Sequence, residues 1–338
     1  MNLLKSNAAI TEFYINSLSW EYVAANLDYL DPDLIDEFIP AYLQALKCKR
    51  KLRSFIKSSN LNDLSFLPRD NKIIWFFWMQ GLQEAPESVR YSYQSWLKLN
   101  PDYQLIILTE KNVREYFPFW DALKLPSLCL KIAHKADFLR TFLVYAYGGI
   151  WVDATSFCFK PLADWLPPII EENGVYFPRQ PNHISDRLIK NWLVASKPKN
   201  ILIKKILTKL SNYIFESRQS PLSMRWPPEY LPKKSIRKSC KPTDFNLKTL
   251  KSYAREQFYP YFFYHYIYND IVLHSGKSSK IRSMCNAISE YPDITPGSKT
   301  SEINSSIFVT KQSYREHHLN SEMYKLRLAE LSKLIDFD

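Results

Sequence analysis

The sequence predicts an α/β fold in which helices cover a mostly parallel sheet. Three short segments at residues 72–78, 103–109 and 150–154 are rich in Ile, Trp, Phe and Val, as strands are. Helix-type segments separate them, and strands that alternate with helices at this spacing are typical of parallel sheets. The chain has 338 residues and is 46% hydrophobic, which is enough to bury a large core.

Helical segments precede the first predicted strand. Apolar residues recur at helical spacing in "SWEYVAANLDYL" and in "DLIDEFIPAYLQALKCKRKLRSFI", and Asp31-Pro32 marks the start of the second helix. We therefore predict a helical N-terminal extension at residues 1–66.

Helices are also predicted on both sides of the second strand. "APESVRYSYQSWLKLNP" has Pro86 near its start and Asn100-Pro101 as its stop, and "EKNVREYF" is a short helix. A longer helix is predicted at 127–149. Its glycine pair, Gly148-Gly149, lies where a left-handed C-terminal cap would end the helix, directly before the third strand.

The alternation of strand-like and helix-like segments becomes less clear after Leu162. Residues 174–178 are predicted as a strand, and "SDRLIKNWLVASKP" and "NILIKKILTKLSNYIF" as amphipathic helices. Residues 219–245 are rich in Pro, Ser and Lys and are predicted as a long basic loop. An aromatic helix in "REQFYPYFFYHYIYNDIVLH" and an amphipathic helix in "SEMYKLRLAELSKLI" complete the chain.

Composition limits the class of protein. No run of about 18 apolar residues is present, so we predict no transmembrane helix, and we expect no secretory signal peptide. The five cysteines are scattered and never form a C-x-x-C pair. This arrangement argues against a zinc site or a disulfide framework and fits a reducing cytoplasm.

Positive charge is concentrated in one segment. The formal net charge is +11, and residues 197–255 contain 15 Lys/Arg against 3 Asp/Glu. An anionic partner is predicted, either a membrane surface contacted by Arg225, Trp226 and Lys233-Lys234, or a phosphorylated substrate. A solvated basic face with no partner explains the charge equally well. Nucleic acid is not expected, because no binding motif interleaves the basic and aromatic residues.

Asp153 is the first candidate functional residue. It ends a predicted strand, and ligands of open α/β sheets bind at the carboxyl ends of the strands. A carboxylate there can bind a divalent cation that neutralises phosphate oxygens, with Thr155 on the same side of an extended chain. An Asp that caps a turn is the simpler alternative, and the spacing alone favours it.

A second candidate pair lies on the preceding helix. Asp137 and Arg140 are three residues apart and share a face, with His134 one turn earlier. They form either an intrahelical ion pair or a hydroxyl acceptor beside a phosphate-binding guanidinium. Because this helix runs through the glycine pair to Asp153, both sets are predicted to border one cleft.

The segment "KIIWFFW…APESVRYSYQSWLKLNPDYQLIILTEKNVREYF…AHKADFLRTFLVYAYGGIWVDATSFCFKPLADWL" resembles the bacterial capsular polysaccharide synthesis proteins. These are GT-A glycosyltransferases related to α-mannosyl and galactosyl transferases and, more distantly, to glucosylating bacterial toxins. The resemblance covers residues 70–168 and rests on A-x-x-x-D-x-x-R followed by G-G-I-[WY]-x-D-x-x. It implies a Rossmann-like GT-A donor-binding core at 67–200 and a basic C-terminal part at 201–338 that completes the acceptor side.

The resemblance also implies roles for individual residues. Asp153 corresponds to the first acid of a DXD motif, which contacts the donor and a divalent metal, Mn²⁺ or Mg²⁺. Asp137 and Arg140 match the positions that hold the donor sugar hydroxyls and the diphosphate. Trp78 matches the aromatic residue that stacks on the base, and Ala133 matches the small residue that lines the pocket.

Thr155 departs from the DXD pattern, because it stands where the second acid, the usual direct metal ligand, is found. Either metal affinity is low or another acid completes the site, although "DAT" is a form associated with the capsular branch itself. His265 and Asn269 are candidate acceptor contacts, with a structural histidine as the simpler alternative. Residues 305–311 are a candidate lid over the cleft.

Together these features predict a metal-assisted hexosyltransferase. Its donor is a nucleotide sugar, with UDP as the nucleotide by analogy, and its acceptor is a capsule, lipopolysaccharide or other cell-surface glycan, or a lipid-linked precursor. Retention of the anomeric configuration and a cytoplasmic location, peripheral at the inner membrane face, are expected. The alternatives are a toxin-like protein glycosyltransferase, a basic module that binds nucleic acid or membrane, and an inactive scaffold.

Overall fold

The computed structural model describes residues 20–24, 27, 32–64, 72–126, 130–180, 186–216, 247, 259–291 and 306–337. The whole of the predicted basic loop at 219–245 lies outside the described residues, including its predicted membrane contacts Arg225, Trp226 and Lys233-Lys234.

The strands within these residues are β1 (Ile73–Phe77), β2 (Gln104–Leu108), β3 (Gly149–Asp153), β4 (Ser156–Cys158), β5 (Val175–Tyr176), β6 (Leu193–Ser196) and β7 (Val309–Lys311). They form a five-stranded sheet of order β2-β1-β3-β6-β5 and a two-stranded sheet of β4 and β7.

Helices precede, separate and follow these strands. They are α1 (Trp20–Ala24), α2 (Pro32–Ser58), α3 (Glu87–Leu99), α4 (Val113–Tyr116), α5 (Ile132–Ala146), α6 (Leu166–Asn173), α7 (Ile201–Ile214), α8 (Phe263–His274), α9 (Lys280–Glu290), α10 (Glu316–Leu319) and α11 (Glu322–Ser332).

The larger sheet confirms the predicted α/β fold with a mostly parallel centre. Strand β1 pairs in parallel with both β2 and β3, and β6 then joins β3 in the antiparallel direction. In this register Phe77 lies opposite both Leu108 and Asp153. The carboxyl ends of three strands therefore meet at one edge, which is where α/β sheets bind ligands.

Both faces of the sheet are buried, which explains the continuous apolar sequence of β1. Its alternate residues Trp75 and Phe77 pack into one hydrophobic cluster with α2, α5, α7 and α8, whereas Phe76 packs into a second cluster with α3. Side chains of a strand alternate between the faces, so a strand covered on both sides is apolar at every position.

One predicted helix is wrong. The segment "SDRLIKNWLVASKP" contains the strand β6, all four residues of which are buried. Leu193 and Ala195 pack into the cluster on one face of the sheet, and Val194 packs into the cluster on the other. A short apolar run that is buried on both faces has no strand alternation in its hydrophobicity, so periodicity alone cannot distinguish it from a helix.

The glycine pair ends α5 as predicted and lets the chain turn directly into β3. Gly148 and Gly149 have φ angles of 74° and 81°, in the left-handed region that favours glycine. A Cβ atom on Gly149 would lie 2.6 Å from the carbonyl oxygen of Ile73. The lack of a side chain at Gly149 therefore allows β3 to pack closely against β1.

We predict that Gly149→Ala lowers the free energy of unfolding by at least about 2 kcal/mol, because it adds left-handed backbone strain to a clash with β1. Urea unfolding followed by circular dichroism measures the loss. Gly276→Ala is the matched control, because no atom lies within 4 Å of a Cβ built at Gly276. Equal stability of the two variants would contradict this account of the turn.

Candidate functional site

Asp153 is held firmly at the carboxyl end of β3. Its backbone N–H donates to the carbonyl oxygen of Trp192 at 2.8 Å, and its carbonyl oxygen accepts from the Ser156 hydroxyl at 2.6 Å. The Trp151 indole N–H donates to Asp153 Oδ1 at 2.9 Å. Strand, neighbouring strand and turn together fix the direction of this carboxylate.

Arg140 brings the two predicted carboxylates together. Its Nη2 atom lies 3.2 Å from Asp137 Oδ1 and 3.1 Å from Asp153 Oδ1. The two sets of sequence-predicted residues therefore meet in one site, through a guanidinium shared between helix α5 and strand β3. The roles that the resemblance implies for these three residues stay predictions.

The guanidinium of Arg140 is enclosed. Its Nη1 donates to the carbonyl oxygen of Asn191, its Nε donates to that of Ala136 at 3.3 Å, and its side chain is only 5% exposed. Asn191 also donates through its amide to Asp137 Oδ1 at 2.8 Å. Arg140 thus has protein partners around its fork, which suits a residue that positions carboxylates.

A lysine from the far end of the chain completes the group. Lys311 Nζ lies 2.6 Å from Asp153 Oδ2, and the side chains of Lys311 and Asp153 are 26% and 24% exposed. We call Asp137, Arg140, Asp153 and Lys311 the charged cluster. It contains two acids and two cations, of which the Asp153–Lys311 pair is half-buried and the Asp137–Arg140 pair is buried.

Burial and charge act differently on the two carboxyl groups. Burial raises the pKa of Asp137 to about 7, since the opposing effects of Arg140 and the Asn191 amide are smaller. Burial would also raise the pKa of Asp153, but Arg140 and Lys311 together hold it below its ordinary value. Asp153 is therefore ionised at neutral pH, whereas Asp137 titrates close to neutrality.

The side chains around Asp153 do not fit a divalent cation in this arrangement. Oδ1 faces Trp151 and Arg140, and Oδ2 faces Lys311. Among the described residues, no group of three or more His, Cys, Asp or Glu side chains could hold a metal ion. The use of Mn²⁺ or Mg²⁺ stays a prediction.

Thr155 does not lie on an extended chain with Asp153, as the sequence suggested. Residues 154–155 form a turn between β3 and β4, and Thr155 is buried. Its carbonyl oxygen accepts from the backbone N–H of Gln312 at 2.6 Å. The observed contact of Thr155 therefore ties the turn to the segment that follows Lys311.

Two aromatic residues lie at the same edge of the sheet. Trp78 directly follows β1, and its ring meets that of Tyr314 edge to face with the centroids 5.7 Å apart. Its indole N–H is buried and has no hydrogen-bond partner within the described part of the chain. Trp78 is half-buried and Tyr314 is exposed, so both rings are at least partly accessible to solvent. Base stacking by Trp78 stays a prediction.

Tyr261 is a further aromatic residue near the acids. Its side chain is exposed overall, yet burial raises the pKa of its hydroxyl, with Asp137 and Asp153 as the next causes. The charges of the two carboxylates therefore act on Tyr261, whose ring centroid lies 6.2 Å from that of His134 on the same helix as Asp137. Ala133, the predicted pocket-lining residue, is half-buried in the first turn of α5, one turn before Asp137.

The two predicted acceptor contacts are buried on α8. Burial lowers the pKa of His265 well below its ordinary value, and Arg187 and Arg140 add to the effect. Asn269 is fully buried and donates to the carbonyl oxygen of Asp186 at 3.0 Å, so an acceptor does not reach it in this conformation. Their roles in acceptor binding stay predictions.

Lys311, Trp151, Asn191 and Tyr261 were missed as site residues. Lys311 lies 158 positions from Asp153 in the chain, so no local spacing connects the two. The prediction that residues 305–311 return to the cleft is seen for residues 306–311, through the pairing of β7 with β4. A lid function for this segment stays a prediction.

The chain is similar in sequence to proteins of known families. The protein-family model described as "Capsular polysaccharide synthesis protein" matches residues 36–224. Inositol phosphoceramide mannosyltransferase 2 of Schizosaccharomyces pombe is 31% identical over 119 residues, which are 33% of this chain and 32% of that protein. The initiation-specific alpha-1,6-mannosyltransferase of Candida albicans is 30% identical over 102 residues, 28% of this chain and 26% of that protein.

More distant similarities extend over more of the chain. The O-glycosyltransferase braB of Annulohypoxylon truncatum is 28% identical over 170 residues, 46% of this chain and 36% of that protein. The chain spans about a third of the length of these curated relatives. The solved structure of the PaToxG glycosyltransferase aligns with a TM-score of 0.33 at 16% identity, over 75% of this chain and 97% of that one.

We predict that Asp137 makes the protein less stable as pH rises. Between the ordinary carboxyl pKa of 3.8 and about 7, the unfolded chain has lost the proton that the folded protein still holds. Stability from this group is therefore greatest at low pH and falls through that window. Asp137→Asn cannot titrate, so the wild type should lose on the order of 1 kcal/mol or more relative to this variant between pH 4.5 and 7.5.

Urea unfolding of both proteins at the two pH values measures the difference, and other titrating groups cancel in the comparison. A stability difference that is the same at pH 4.5 and 7.5 would mean that Asp137 is ionised throughout and that the cluster carries one more negative charge.

Proposed function

The chain belongs to the capsular polysaccharide synthesis protein family, and we propose that it is a glycosyltransferase that uses a nucleotide-sugar donor. One observation carries the proposal: Asp137 and Asp153 converge on Arg140 at the carboxyl end of a parallel sheet. Ligands of such sheets bind at that edge, and carboxylates there accept hydrogen bonds from sugar hydroxyls.

The names of the relatives support transfer of a sugar. Two of them are named mannosyltransferases and a third is named an O-glycosyltransferase. We therefore expect a hexose as the transferred group, with UDP as the nucleotide by analogy and a capsule, lipopolysaccharide or other cell-surface glycan as the acceptor.

The charged cluster suggests how the reaction would be assisted. Negative charge develops on the departing diphosphate as the sugar–oxygen bond breaks, and fixed cations near it stabilise the transition state. The acceptor oxygen forms a bond to the anomeric carbon as the bond from that carbon to the diphosphate oxygen breaks, and the acceptor proton passes to the departing phosphate oxygen, while Asp153 and Asp137 hold the donor hydroxyls. We expect retention of the anomeric configuration, by a front-face route.

The aromatic pair Trp78 and Tyr314 suggests the position of the nucleotide base. Base–aromatic stacking contributes about 1–3 kcal/mol per base. Trp78 follows the strand next to Asp153, so a base against this ring would place the diphosphate toward the charged cluster.

A membrane partner is also proposed, from the charge at 197–255. Within the described residues this segment includes α7, where Lys209 is paired with Asp270 at 2.9 Å and Lys205 is exposed. No helix in the described ranges is both long and apolar enough to cross a bilayer. We propose peripheral binding to an anionic inner membrane face, which would present lipid-linked acceptors from the cytoplasmic side.

We predict that replacing Asp153 with Asn lowers slow hydrolysis of the donor by at least about 100-fold, because the neutral amide makes weaker hydrogen bonds to the donor and cannot balance the charges of Arg140 and Lys311. The assay is a screen of nucleotide sugars without an acceptor. Asp121→Asn is the matched control: its side chain is 22% exposed and pairs with Arg114 at 2.9 Å and with Lys124 at 3.3 Å.

Wild-type hydrolysis rates in folded Asp153→Asn protein would contradict the assignment of the site. Equal losses in both variants would show that the loss comes from breaking any partly buried ion pair.

We predict that the full chain sediments with vesicles that contain anionic phosphatidylglycerol but not with neutral phosphatidylcholine vesicles, and that about 0.5 M salt weakens the binding. Equal sedimentation with both kinds of vesicle would remove the membrane proposal.

A further inference from the structure

We infer that Lys311, rather than a divalent cation, supplies the positive charge that meets the donor diphosphate beside Asp153. The inference rests on the proposed function, since it assigns a residue to the donor site. It also explains how the site could work with Thr155 in the position where a DXD motif has its second acid.

The first support is the position of the ammonium group. Lys311 Nζ lies 2.6 Å from Asp153 Oδ2, on the oxygen that a metal bound by this carboxylate would have to share. An ammonium is a compact point charge with three donors, and contact with Asp153 uses one of them. The remaining donors can serve phosphate oxygens.

The second support is exposure. The Arg140 side chain is only 5% exposed and is bonded to Asp137, Asp153 and two backbone carbonyl oxygens. The Lys311 side chain is 26% exposed. A diphosphate arriving from solvent therefore meets Lys311 before Arg140, and Arg140 is suited to positioning the carboxylates.

The third support is that the backbone holds Lys311 in place. Strand β7 pairs with β4 so that Lys311 lies opposite Ser156. The fully buried Arg327 donates from Nη1 to the carbonyl oxygen of Lys311 at 3.0 Å. The next residue, Gln312, donates its backbone N–H to Thr155, so both sides of the lysine are fixed.

The fourth support is the charge balance. The two acids and two cations of the charged cluster sum to zero when Asp137 is ionised and to one positive charge when it is protonated, because Thr155 adds no second acid to the motif. A divalent cation beside Asp153 would add two positive charges next to Lys311 and Arg140, where like charges repel strongly at short range. In neither protonation state of Asp137 does the cluster have a net negative charge for a divalent cation to balance.

The test is calorimetric titration of UDP and GDP into the full chain, once with EDTA and once with Mn²⁺. For the nucleotide that binds, wild-type affinity should differ by less than about twofold between the two conditions. Lys311→Met should weaken binding in EDTA by at least about tenfold, as loss of a charge-assisted hydrogen bond does. Lys311→Arg should retain much of the affinity.

Lys160→Met is the matched control. Lys160 follows β4 and lies over the Phe308 ring at 4.4 Å, so it neighbours the same two-stranded sheet without being placed on Asp153. Its nucleotide affinity should equal that of the wild type. Thermal unfolding establishes that each variant is folded. If Lys311→Met does not fold, the inference is tested by the affinity of the wild type in EDTA and in Mn²⁺ and by the affinity of Lys311→Arg.

Two results would overturn the inference and leave the proposed function standing. One is wild-type nucleotide affinity that is about tenfold or more higher in Mn²⁺ than in EDTA. The other is a folded Lys311→Met variant that binds the nucleotide as tightly as the wild type does. Failure of the wild type to bind any nucleotide or nucleotide sugar in either condition would instead overturn the proposed function, and this inference with it.

Discussion

The shared contact of Arg140 with Asp137 and Asp153 is the interaction on which the site depends. A carboxylate at the end of a buried strand is costly unless a cation or hydrogen-bond donors compensate it. Arg140 supplies that compensation from an adjacent helix at 3.1 Å. Removing one partner of a buried ion pair commonly costs about 3–5 kcal/mol in stability. The same contact therefore stabilises the local fold and positions the two carboxylates of the candidate site.

The backbone around the glycine pair makes this contact available. Helix α5 ends at Ala146 and strand β3 starts at Gly149, so only two residues separate the elements. The left-handed conformation at Gly148 and Gly149 folds the chain back on itself within this short distance. The helix carrying Arg140 and the strand carrying Asp153 therefore form one local unit, which the rest of the sheet supports.

Much of this local unit could be predicted from the sequence, because its signals are local. The strands around Trp75 and Trp151 are apolar and β-branched or aromatic, and Asp137 and Arg140 have helical spacing before a glycine pair. The meeting of Asp137, Arg140 and Asp153 follows from that connectivity. The sequence does not identify β6 as a strand, because Val194 and its neighbours are apolar on both faces and the alternation typical of a strand is missing.

The features of the site that the sequence did not predict depend on contacts between distant parts of the chain. Lys311 reaches Asp153 only because β7 pairs with β4, and nothing in the composition of "SSIFVTK" identifies its lysine as a partner of that acid. Thr155 illustrates the same limit: a motif position implied a side-chain role, whereas the structure uses its carbonyl oxygen to bind Gln312. Long-range pairing decided both outcomes.

The most direct measurement is a crystal structure of the protein with bound UDP, grown with EDTA. The account predicts the diphosphate within hydrogen-bond distance of Lys311 Nζ, at the edge formed by β1 and β3, with the base against Trp78. A nucleotide bound at another surface while Asp153 and Lys311 keep their pairing would contradict it.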